Sequence, residues 1–270
     1  MSDFLDRQFA EPVPSAPTDP FGVTDVFLYS HGWGQTGSNL PSERNAFCLG
    51  VAKALQGLVC ASPTQWAKMG AAFAPLDLPV PWLPGVPEET LRQRADSIGC
   101  HAGYSLLRLL IERLQGRQPY RFNLIGHGLG CRVLCGALQA LAEDEGMRKR
   151  LHSGEFNVAL LQPGVDSDSL APGALYGQVQ RGIPRLRMLV TTSAHDVTLS
   201  PRFALSMAAT GPTGDLHVPV DQRFDVTTAI VPTFTEKLGV ANLTPLQVSS
   251  ASAGLHLPQI YDLLARFFGQ

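Results

Sequence analysis

The chain has no apolar run long enough to cross a bilayer, and only 16% of its 270 residues are charged, with a formal net charge of -2. The first absence excludes a helical membrane span. The second, with a pI near 6.4, leaves no electrostatic footprint for a nucleic-acid backbone, which needs a basic patch. Also missing at the start are the basic flank and apolar core of a signal peptide; Pro12, Pro14, Pro17 and Pro20 stand there instead. A soluble, cytoplasmic protein is the expectation. The five cysteines, Cys48, Cys60, Cys100, Cys131 and Cys135, are odd in number, widely spaced and set in apolar stretches, so a disulfide framework gives way to buried thiols. Cys131 and Cys135 share one helical face, but no nearby His or Cys completes a tetrahedral zinc set, and core packing is expected. No metal and no organic cofactor are implied.

What is present is apolar material enough for one continuous core, at 44% hydrophobic residues. The proline-rich residues 1–23 read as an extended arm, because repeated Pro fixes φ and removes ladder donors. Residues 24–270 read as a single α/β domain. Asp25–Ser30 is a short strand, and 42–55 follows with a helical apolar period. Leu58–Ala61 is a candidate strand. Prolines 75, 79, 81 and 84 break the region 63–87 into a long loop with at most a turn of helix at 65–72. Glu88–Leu114 reads as one long helix closed by Gly116. Tyr120–Ile125, Phe156–Leu161 and Leu186–Thr191 are buried strands, a weaker one falls within 245–249, and a terminal helix runs from His256 or Pro258 to Phe268. Strands alternating with helices predict a mostly parallel twisted sheet covered on both faces.

The chemistry gathers around residues 122–130, Phe-Asn-Leu-Ile-Gly-His-Gly-Leu-Gly. Gly126, His127, Gly128, Leu129 and Gly130 form a sharp strand-to-helix turn, with Gly126 and Gly130 placed where a side chain would block the approach of strand and helix. Such turns also serve as phosphate cradles. With three further motifs downstream and upstream, however, the chain from about residue 24 onward resembles the α/β-hydrolase superfamily, the esterases and lipases in particular. The family's elbow is G-x-S-x-G, and here Gly128 stands where the nucleophilic serine belongs.

The resemblance implies the rest of the site. His31-Gly32-Trp33-Gly34 follows the first strand, where the family places its oxyanion loop, so the N–H groups of Trp33 and Leu129 would face a common point above residue 128, with Gly32 and His127 beside them. Asp196, after the strand ending at Thr191, takes the place of the triad acid; Asp166 and Asp168, after the preceding strand, compete for it. His256 before the last helix is the general base, in the family's chain order of nucleophile, acid and histidine. Without an Oγ no acyl-enzyme forms, so an inactive or very weakly active chain is expected. His127 and Cys131 are poorly placed to substitute. Three readings stand: an ester hydrolase that lost its serine, a non-catalytic binder of a small acyl or ester-type ligand, and an interaction protein using the polar segment 211–225. The loop 63–87 and the stretch 201–240 are candidates for capping an apolar pocket.

Overall fold

The computed structural model describes residues 25–31, 46–47, 49–51, 53–55, 74–75, 88–114, 120–166, 169–193, 233–235, 237–243, 246 and 255–269. Among these, seven strands make one sheet: β1 (Asp25–Ser30), β2 (Ala74–Pro75), β3 (Tyr120–His127), β4 (Gly154–Leu161), β5 (Leu186–Thr192), β6 (Thr233–Thr235) and β7 (Leu238–Asn242). Their order is β2-β1-β3-β4-β5-β7-β6. Every adjacent pair is parallel except β6 with β7. Six helical segments accompany them: α1 (Glu88–Ile98), α2 (Tyr104–Leu114), α3 (Gly130–Glu143), α4 (Glu145–Leu151), α5 (Val179–Gly182) and α6 (Pro258–Phe268). Residues 46–47, 49–51 and 53–55 are helical as well.

A parallel strand covered on both faces needs apolar side chains on both, and the strands supply them by alternation. Val26, Leu28, Phe122, Leu124, Phe156, Val158 and Met188 point to one side, where they pack with α2, α3 and α4. Phe27, Tyr29, Ile125, Ala159, Leu161 and Leu189 point to the other, against Phe47, Val51 and α6. Phe122 stacks on Phe156 across β3 and β4 at 5.2 Å. On the opposite face Asn157 donates its side-chain amide to Asn123 Oδ1 at 3.0 Å, which satisfies two buried polar groups across the same strand pair. The architecture is α/β, with a parallel sheet and helices on both faces.

The long helix expected at Glu88–Leu114 is continuous, but it contains a π-helical turn, Gly99–Gly103, between α1 and α2. This turn lies where the helix crosses α3 at close range. A Cβ on Gly99 would sit 2.4 Å from the Val133 carbonyl oxygen, and one on Gly103 3.0 Å from the Ala137 Cβ. Glycine is what lets the two backbones meet. α3 then ends at Asp144, whose carboxylate accepts from the Gly146 N–H at 2.8 Å and caps α4, a helix not anticipated from the sequence.

Other expectations need correction. Within the proline-broken region 63–87, Ala74–Pro75 pairs with Leu28 and Tyr29 as the edge strand β2; the edge is where a sheet tolerates proline. A parallel strand not anticipated from the sequence is Leu238–Asn242; of the expected strand segment 245–249 only residue 246 is described, in a turn in which its N–H donates to the Leu243 carbonyl. β6 and the first residues of β7 also fall in the stretch 201–240, a candidate cap in the sequence. Cys100 is exposed, whereas Cys131 and Cys135 are buried as expected. Residues 1–23, 58–61 and 211–225 lie outside the described residues.

Candidate functional site

Sheet order fixes where a ligand can reach. From β1 the chain passes outward to β2 on one side, and β3 lies on the other, so the order reverses between β1 and β3. In open α/β sheets the crevice at the carboxyl ends of the strands flanking such a reversal is the binding position. β1 ends at Ser30 and His31, β3 at His127 and Gly128, and Ser30 pairs with Gly126 in register. The glycine turn singled out in the sequence stands at this crevice.

The turn is tight in the manner its glycines require. Gly128 has φ +54°, in the left-handed region that side chains occupy at a cost. A Cβ on Gly126 would lie 2.8 Å from Cys131 Cα, and one on Gly130 only 2.2 Å from the Ser30 carbonyl oxygen and 2.6 Å from that of His31. Both glycines are held by backbone, which cannot swing aside. Leu129, buried, stands at the N-cap of α3 with φ -68° and ψ -21°, so its N–H belongs to the turn and not to the helical ladder.

The segment after β4 locks the apex from the side. Gly128 N–H donates to the Leu161 carbonyl at 3.1 Å, and Gly164 N–H donates to the Gly128 carbonyl at 2.9 Å. Gln162, between them, has φ +42°, unusual for a residue with a side chain; its N–H donates to Thr191 Oγ1 at 2.9 Å. The ends of β3, β4 and β5 are thus joined by hydrogen bonds around residue 128.

Beneath the turn lies a charged cluster that sequence reasoning missed. Arg132, in the first turns of α3 and only 5% exposed at its side chain, donates through Nε and Nη2 to both Asp96 oxygens at 3.0 and 2.8 Å. Its Nη1 donates to Asp166 at 3.2 Å, and Arg92 Nη1 donates to the other Asp166 oxygen at 3.1 Å. The Tyr176 hydroxyl donates to Asp96, and its ring lies beneath the Arg132 guanidinium. Burial alone would lower the Arg132 pKa, but hydrogen bonding to Asp96, with the Tyr176, Asp96 and Asp166 interactions, leaves it raised. For Tyr176, burial leads the causes that raise the phenol. The sequence signal was an arginine in the apolar first turns of α3. Asp166, one competitor for the triad acid, spends its carboxylate on these two guanidiniums.

The other predicted residues fall as follows. His127 is fully buried at the end of β3. Cys131 is buried and its thiol donates to the Leu161 carbonyl at 3.7 Å; burial pushes its pKa well above the ordinary thiol value, overriding any gain of thiolate character from the helix N-terminus. His256 is exposed, and its Nδ1 lies 3.1 Å from the Tyr261 hydroxyl. Tyr261 stacks toward Phe47 at 5.8 Å, and Phe47 toward Tyr29 of β1 at 4.7 Å, which ties the histidine to the strand that borders the crevice. Among the described residues no hydrogen bond joins His256 to the 126–130 turn. Gly32, Trp33, Asp168 and Asp196 lie outside the described residues. No group of three or more His, Cys, Asp or Glu that could hold a metal occurs among the described residues, and none of their helices is long and apolar enough to cross a membrane.

Together, sheet and turn define the class: an α/β protein with a parallel sheet and a glycine-built strand-to-helix turn at its switch point. No protein-family model and no curated protein matches the chain.

Proposed function

We propose that this chain is an α/β-hydrolase-type ester hydrolase scaffold that lacks its nucleophile and is inactive or nearly so as it stands. The observation that carries the reading is the apex at Gly128. Its φ of +54° is the kind of strained angle that lifts a nucleophile above a sheet, and its strand lies directly beside β1. That adjacency matters because an oxyanion hole needs donors from two segments. The loop leaving β1 through His31 toward Trp33 begins beside the turn that carries the Leu129 N–H. On this reading Trp33 and Leu129 supply the donors, His256 is the base, and Asp196 is the acid that stabilises its charged form.

Glycine at a left-handed position also favours a second reading, a non-catalytic binder, since it relieves the strain a nucleophile would impose. A small acyl carboxylate then places its oxygen at the donors that a transition-state oxyanion would use.

Gly128→Ser separates the two. For the hydrolase scaffold it yields turnover of a short p-nitrophenyl ester with an initial burst, and covalent labelling of position 128 by a fluorophosphonate, at a stability cost of about 1–3 kcal/mol. A folded variant that neither turns over nor labels removes the hydrolase reading.

A further inference from the structure

We propose that Gly164 and Asp166 are the positioning residues of the Leu129 N–H: Gly164 holds the carbonyl of the peptide that carries it, and Asp166 anchors Gly164 to α1 and α3. The proposal rests on the reading of Leu129 as an oxyanion donor and names what aims it.

The Gly128 carbonyl and the Leu129 N–H belong to one planar trans peptide, so they point in opposite directions and fixing one fixes the other. That carbonyl accepts two hydrogen bonds, from the Gly164 N–H at 2.9 Å and from the Cys131 N–H at 3.2 Å. The first reaches it from the segment after β4. The Leu129 N–H therefore leads away from the β4 side of the turn, and β1, from which the loop toward Trp33 leaves, lies on the other side of β3. Two donors on one carbonyl also polarise the amide, which strengthens its own N–H as a donor.

Gly164 makes this contact at close range. A Cβ there would fall 3.3 Å from the Gly128 carbonyl carbon, its oxygen and a Leu129 methyl, so a methyl group at 164 would press on the peptide. Glycine has no side chain to hold the segment itself. Two residues on, the Asp166 oxygens accept separately from Arg132 of α3 at 3.2 Å and Arg92 of α1 at 3.1 Å, and its carbonyl accepts the Ser169 N–H at 3.0 Å. Val165, between them, packs on the core. One end of the segment is pinned to the apex and the other to two helices. Asp96 shares the Arg132 guanidinium, but its side-chain bonds go to Arg132 and Tyr176 rather than to this segment. In a chain with serine at the apex, charge would develop on the ester carbonyl oxygen as the Oγ–carbon bond forms. A donor turned aside stabilises that charge less and leaves substrate binding unchanged.

The test uses the full chain labelled with ²H, ¹³C and ¹⁵N, in which scalar coupling across the hydrogen bond from Gly164 N to the Gly128 carbonyl carbon reads the contact directly. The coupling is expected in the parent, lost in Asp166→Ala and kept in Asp96→Ala, although each variant strips one carboxylate from Arg132. In the Gly128→Ser background with a short p-nitrophenyl ester, Asp166→Ala should lower kcat roughly tenfold with KM unchanged, a part of the ~10²–10³ that one oxyanion donor supplies. Asp96→Ala should leave kcat near its starting value. Gly164→Ala, which keeps the charged cluster intact, is expected to give the same kcat loss and carries the test if Asp166→Ala does not fold. A coupling that survives Asp166→Ala, or disappears equally in Asp96→Ala, overturns the proposal. An inactive Gly128→Ser chain whose coupling responds as expected leaves the positioning intact and removes only the hydrolase reading. An active one whose kcat ignores both Asp166→Ala and Gly164→Ala keeps that reading and overturns the positioning.

Discussion

Gly130 is the more demanding of two glycines separated by one leucine, although only Gly128 has a positive φ. At 128 the backbone angle alone costs an L-residue about 1–2 kcal/mol in the left-handed region. At 130 the angles are ordinary and the obstacle is space: a methyl group would meet the Ser30 and His31 carbonyl oxygens at 2.2 and 2.6 Å. Those oxygens belong to the end of β1, so relief would require the strand and α3 to part. Gly130→Ala is therefore expected to lower the unfolding free energy by about 3 kcal/mol, and Gly128→Ala by about 1 kcal/mol. Urea titrations of both variants at pH 7 would check the order; equal or reversed costs would show that the turn is not wedged against β1.

Besides the apolar core, α3 is held by two further kinds of contact, glycine-to-backbone approach against the π-turn and the charged cluster around Arg132. The cluster balances two guanidiniums against two carboxylates, and Arg132 is its centre, bonded to both Asp96 and Asp166. Arg132→Met would leave Asp96 without its bidentate partner and Asp166 with Arg92 alone. Their side chains are 22% and 28% exposed, so water takes up part of the penalty, and a loss of about 3 kcal/mol is expected, the lower end for a broken buried pair. The same variant in chemical denaturation gives the value; a change below about 1 kcal/mol would mean that the cluster is solvated in practice.

Much of the element pattern was legible in the sequence, for physical reasons. β1, β3, β4 and β5 are apolar on both faces because both are covered, and they stand out as runs. α6 announces itself by Pro258 at its start and a strong apolar stripe. β2, β6 and β7 did not, because a two-residue edge strand ending in Pro75 and a three-residue strand of Thr233 to Thr235 carry too little pattern to distinguish from loop. Of the site, the turn was legible since its glycines answer to local geometry. The Arg132 cluster was not: Asp96 and Asp166 meet at one guanidinium only after the chain has folded, and nothing in their separate neighbourhoods signals it.

For the molecule as a whole, the thiols report the integrity of the core. Burial, against the lowering pull of the Arg132 charge and with a smaller push from Asp96, raises the Cys135 pKa to about 12, and burial likewise raises Cys131. Cys100 is exposed, but partial burial and the nearby Asp96 and Glu143 charges raise its pKa too, so at pH 7 it holds less thiolate than a free cysteine. Since the thiolate reacts, native alkylation should be slow at Cys100 and absent at Cys131 and Cys135 until the protein unfolds. Peptide mapping after timed iodoacetamide treatment would show this; early labelling of Cys135 would contradict the described packing beneath the turn.

The sheet order has a bearing on biosynthesis. β1 is flanked by β2 and β3, and its long partner is β3, with residues 25–30 in register against 121–126. The chain between them must be closed into a loop before that pairing is rewarded, and distant pairings of this kind come late. A nascent chain therefore leaves the ribosome with only the two-residue β2 available to partner β1 until β3 and the turn at 126–130 have followed. During that interval β1 offers Phe27, Leu28 and Tyr29 on an open edge, and the candidate crevice does not yet exist in any form.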